Sequence, residues 1–199
     1  EEEKVRSTSR DLNQTHISLG VESLEKGNEK RYPLEMLNVI LGNGMSSRLF
    51  RRVRKEKGLV YHITTNTEYL SDTGSFLIYA ATDRNNLVHV ADLIEEEMKK
   101  IRNEPVSDKE LELAKAKIKG NTVLGLESNQ ANMIRLGNSQ IFDIKLRSID
   151  EILDKIDSVT KEDIIELADD IFKADNFRGS LLGPAIEEVE SRKILPNFH

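Results

Sequence analysis

Residues 59–82, LVYHITTNTEYLSDTGSFLIYAAT, constrain the fold more than any other stretch. Two runs rich in β-branched and aromatic residues, 59–70 and 73–82, are separated by Ser71 and Asp72. Such side chains suit a pleated surface, and a connection this short folds the second run back on the first. The pair reads as an antiparallel hairpin, with Gly74 marking a bulge or a close backbone approach. A further strand precedes it. QTHISLGV (14–21) alternates His16, Ser18 and Gly20 with Thr15, Ile17, Leu19 and Val21, the pattern of a half-buried strand. FRGSLLGP (177–184) reads as a last short strand, ended by Gly-Pro.

Helical patterns fill the rest. Pro33 suits the first turn of a helix whose Leu34, Leu37, Ile40 and Leu41 share one face, and Gly42 and Gly44 stop it. Ser46 or Ser47 can cap a second helix running to Lys57, with Gly58 as a left-handed terminator. After the hairpin, Leu87, Val90, Ala91, Ile94, Met98 and Ile101 form one stripe. Three capping boxes follow: Ser107 to Glu110, Ser148 to Glu151 and Thr160 to Asp163. SNQANMIRLGNSQIF, between the first two, is a weaker helical pattern. Strands and helices are clustered, not strictly alternating. The expected class is therefore α+β, a mostly antiparallel or mixed sheet with helices packed on one face. Residues 1–13 are charged and lack an apolar pattern, so they read as a linker. Residues 14–199 read as one domain, and the chain is expected to be a piece of a longer protein.

Composition narrows the function classes. The net charge is −6, which argues against wholesale nucleic-acid binding. There is no cysteine, which removes disulfides, thiolate zinc ligands and cysteine nucleophiles, and fits a reducing, cytoplasmic setting. No apolar run approaches a membrane span, so no membrane partner is expected. The histidines, His16, His62, His89 and His199, include no pair four apart on a helix, and no metal-ligand constellation is found. GMSSRLF is not a nucleophile elbow, and LGNGMSS lacks the glycine spacing of a phosphate loop.

What remains is RRVRKEKGLVYHI (51–63), where Arg51, Arg52, Arg54, Lys55 and Lys57 crowd ahead of Gly58. Arg54 falls in the last turn of the predicted helix, and Tyr61 lies just inside the next strand. Two readings stand. One is a cation at a helix C-terminus, favoured by the macrodipole, beside a half-buried strand aromatic. The other is two donors that the break at Gly58 aims at one oxygen, as an oxyanion site requires. Spacing alone favours the first.

The block LGNGMSSRLFRRVRKEKGLVY resembles the C-terminal domain of the pitrilysin/insulinase zinc metallopeptidases, most closely their processing-peptidase-like members. QTHISLG, SDKELELAKAKIKGNTVLGLES, VTKEDI and GSLLGP extend the resemblance from about Gln14 to Pro184. It implies a substrate-binding half that supplies an Arg and a Tyr, seven apart, to the scissile carbonyl of an extended peptide. Those positions here are Arg54 and Tyr61, the two catalytic candidates. The family's zinc is carried by an N-terminal domain with the motif H-x-x-E-H, which does not occur in this sequence. The resemblance therefore implies zinc in the complete enzyme and none in this chain. It also implies an N-terminal catalytic domain or partner subunit, a homodimer, and no activity of this chain alone. The same fold also serves as a non-catalytic scaffold or partner subunit, and that is the alternative expectation.

Overall fold

A computed structural model describes residues 4–184, 186 and 193–198. Strands β1 (Val5–Ser9), β2 (Thr15–Ser23), β3 (Val60–Tyr69), β4 (Gly74–Thr82) and β5 (Arg178–Gly183) form one sheet in the order β1-β5-β2-β4-β3. β2 pairs antiparallel with β4 and β5, β3 pairs antiparallel with β4, and β1 runs parallel to β5. The mixed sheet is the one the sequence predicts, with one correction. Within the expected linker, Val5–Ser9 is an edge strand and Val5 enters the core, while residues 1–3 lie outside the described residues. Its charged side chains hide a strand that needs a partner from the far end of the chain.

Alternation sorts the sheet into two faces. Ile17, Leu19 and Val21 of β2, Phe76, Ile78 and Ala80 of β4 and Leu181 of β5 are buried. Helices α1 (Arg31–Leu41), α2 (Leu87–Asn103) and α6 (Lys161–Ile171) contact one another and supply the apolar layer over them. The whole predicted stripe of α2, Leu87 to Ile101, is buried. Helices α3 (Asp108–Leu126), α4 (Asn129–Ile141) and α5 (Ile149–Ser158) form an outer tier, in which α3 contacts α1, α4 and α5. This tier is thinly buried: α3 buries only Ala114 fully and α4 buries none. All three predicted capping boxes are present. The opposite face of the sheet carries His16, Ser18, His62, Thr64, Asn66 and Tyr79, all partly or fully accessible.

Candidate functional site

The site is assembled at the turn from α1 into β3. Asn38 near the end of α1 is buried and accepts a 2.6 Å hydrogen bond on Oδ1 from the Thr65 hydroxyl of β3. Gly42 lets the backbones meet there, because a Cβ on it would stand 2.4 Å from Thr65 Cγ2. The Lys117 ammonium from α3 donates to the Asn43 carbonyl and to its Oδ1, which fixes the following loop. Ser47 closes the loop by donating to the Gly44 carbonyl at 2.7 Å, so Ser47, not the exposed Ser46, takes the capping role.

Residues Phe50–Glu56 then form a π-helical segment, a wider coil than the helix the pattern predicts. Gly58 terminates it with φ +63°, the left-handed conformation expected for that glycine. The Leu59 N–H reaches back to the Val53 carbonyl at 3.1 Å, while the Leu59 carbonyl accepts from the Thr82 hydroxyl at 2.5 Å. The segment is thus tied to the first residues of β3 and the last of β4.

Tyr61 is the extra residue of a β-bulge: Val60 pairs with Thr82 and His62 pairs with Ala81, leaving Tyr61 unmatched. Bulges redirect side chains. Here the bulge puts Tyr61 and His62 outward in succession, between the buried Val60 and Ile63. Gly74, which was expected to mark either a bulge or a close approach, marks a close approach. Tyr61 is 53% exposed, so it is not the half-buried strand aromatic of the first reading. Its hydroxyl donates to the Asp83 carboxylate, 3.3 Å from Oδ1. Asp83 follows β4 and lies beyond the Val60–Thr82 pair, so the phenol leans toward the end of the sheet where the π-helical segment arrives. Arg54 is exposed, with its guanidinium 5.1 Å from the Phe50 ring centroid. Among the described residues no carboxylate pairs with Arg54. The structure thus brings the segments carrying Arg54 and Tyr61 together and gives the two side-chain heads separate partners, Phe50 and Asp83. Asp83 went unread in the sequence. Its signal was an acidic residue directly after the second hairpin strand.

Arg48 has a structural role. It makes a paired contact with Glu110, 2.8 Å from Nε and 3.1 Å from Nη2, which bolts the start of the π-helical segment to α3. Burial pushes the Glu110 pKa up, but the hydrogen bonds from Arg48 and from the Ser107 N–H and hydroxyl outweigh it and hold the carboxyl at about 2. A depressed carboxyl stabilises the fold above its unfolded pKa, and that contribution fades as pH falls toward the folded value. Glu110→Gln is therefore expected to cost about 2 kcal/mol at pH 7, with more than half of the difference gone at pH 3. Urea unfolding at the two pH values checks this, and an equal difference at both would refute the charge assignment.

On the open face, His16 Nδ1 lies 2.7 Å from the Tyr79 hydroxyl, and the His62 ring is 5.8 Å from the Tyr79 ring. No group of three or more metal-ligating side chains exists among the described residues, and His199 lies outside them. A cavity of about 510 Å³ opens between α1, α3, α4 and α5, but neither Arg54 nor Tyr61 lines it. Among the described residues no helix is long and apolar enough to cross a membrane.

Residues 1–118 match the family profile described as Peptidase M16 inactive domain. The chain belongs to the peptidase M16 family. This M16 chain is 35% identical over 176 residues to the uncharacterized zinc protease YmxG of Bacillus subtilis, across 88% of this chain and 43% of that protein. It is 34% identical over 187 residues to an uncharacterized zinc protease of Mycobacterium leprae, across 94% of this chain and 41% of that protein. The chain spans about two fifths of the length of these curated relatives. Its fold matches an M16 inactive domain from Pseudomonas fluorescens with TM-score 0.82 at 19% identity, over 92% of this chain and 44% of that one. It also matches a chain of Complex III2 from Candida albicans with TM-score 0.79 at 17% identity, over 97% and 49%. The resemblance read from the sequence and the family found by comparison agree. The M16 inactive domain is the inactive C-terminal half of M16 zinc-protease-like proteins.

Proposed function

We propose that this chain is the substrate-holding half of an M16 zinc endopeptidase and that Arg54 and Tyr61 act on the peptide. The observation that supports the reading is that the segments carrying two donors meet at one junction. Arg54 has no carboxylate partner among the described residues, and Tyr61 is turned outward by a bulge. A cation without a carboxylate partner and an exposed phenol on a long, exchangeable contact contribute little to the fold, and both are donors to a carbonyl oxygen. The phenol donates to the scissile carbonyl as negative charge develops on it, and the guanidinium holds that oxygen or a neighbouring peptide group. β3 is an edge strand, which suits an extended peptide added along it.

The described residues do not fit zinc, because they contain no ligand cluster. In this reading the metal of the complete enzyme is held by another segment, the zinc-bearing half of the same protein or a partner subunit. The test is zinc analysis and peptidase assay of this chain alone, of the zinc-bearing half alone and of the two combined. Activity is expected only from the combination. Zinc-dependent cleavage by this chain alone overturns the reading, and no gain on mixing favours a non-catalytic scaffold of the same fold.

A further inference from the structure

The Tyr61 phenol has one proton, and in this structure that proton is directed at Asp83, whose carboxylate oxygens lie 3.3 and 3.5 Å from the hydroxyl. Among the described residues the Asp83 carboxylate has no other hydrogen-bond partner. It precedes the short helical turn Arg84–Asn86 and makes no side-chain cap to it. The contact is longer than a strong O–H···O bond, and both groups are exposed, so it is weak enough to exchange. A phenol that donates to Asp83 can only accept from a substrate. To donate to a substrate carbonyl it has to leave the carboxylate.

We propose that Asp83 is a positioning residue that competes with substrate for the Tyr61 proton, a latch that peptide binding must release. The proposal rests on the reading of Tyr61 given above. The latch contact exists in the free protein and is broken in both the bound and the transition state. Removing it therefore favours both equally over the free enzyme, which is a change in KM and not in kcat.

In the full-length zinc-bearing protein, assayed with an internally quenched peptide that it cleaves, Asp83→Ala is expected to lower KM about three- to fivefold with kcat unchanged. The same substitution in a Tyr61→Phe background is expected to do nothing. A fall in kcat, or an equal effect in both backgrounds, would overturn the latch. Should Tyr61→Phe by itself leave cleavage untouched, it is the role of Tyr61 that fails. The contact is then judged separately from the Cζ resonance of labelled Tyr61 in the free protein. A shift on Asp83→Ala supports the contact, and an unmoved resonance removes it.

Discussion

Tyr61→Phe in the full-length protein is expected to lower kcat about 100-fold, the usual effect of deleting one oxyanion donor. KM should hardly move. The free protein loses its Asp83 contact while the complex loses its carbonyl contact, and the two losses offset one another. The ring stays, and the side chain is 53% exposed, so urea unfolding should shift by no more than about 0.5 kcal/mol. A variant that folds normally and cleaves at the parental rate would remove the phenol from the mechanism. A variant that loses stability in proportion to activity would assign it to the fold instead.

The second large effect concerns Gly74, where β4 begins between two neighbours. It pairs with Ser23 of β2 on one side and Tyr69 of β3 on the other. A Cβ there would lie 2.0 Å from the Leu24 carbonyl oxygen and 2.8 Å from that of Glu68. Both are backbone atoms, so neither can rotate away, and relief requires parting three strands. Gly74→Ala is expected to cost about 3 kcal/mol or more and to lower Tm by on the order of 10 °C. Gly120→Ala is the contrasting case. That glycine sits within α3 with nothing within 4 Å of a new Cβ, and the change should stabilise by about 0.5–1 kcal/mol. Thermal unfolding of the two variants against the parent decides it. A Gly74→Ala protein as stable as the parent would mean that the strand start sits further from Leu24 than described.

What could be read from the sequence was what neighbouring residues decide among themselves. The hairpin, the three capping boxes and the stop at Gly58 depend on contacts a few residues apart, and each stands where the pattern puts it. β1 was missed because its signal is pairing with residues 178–183, against which Arg6, Ser7 and Thr8 look like a polar tether. The bulge was legible but went unread. Tyr61 and His62 are both outward between Val60 and Ile63, and that break in alternation is its mark. The meeting of the segments that carry Arg54 and Tyr61 follows from the chain reversal at Gly58, which the pattern shows. The partner of the phenol, Asp83, needed strand register, since it lies at the end of the neighbouring strand. The widening of the helix into a π segment left no trace in residue pattern.

The position of β2 in the sheet has a consequence for synthesis. Its residues 15–23 are made well before its last partner, and β4 can join them once residue 82 has followed, but the other flank waits for residues 178–183. While residues 83 to 177 are being made, that flank is a bare row of amides and carbonyls, able to zip onto any extended neighbour. Ribosomes stalled before the last strand should therefore display an aggregation-prone intermediate, and chaperone demand should fall only when that closing piece arrives.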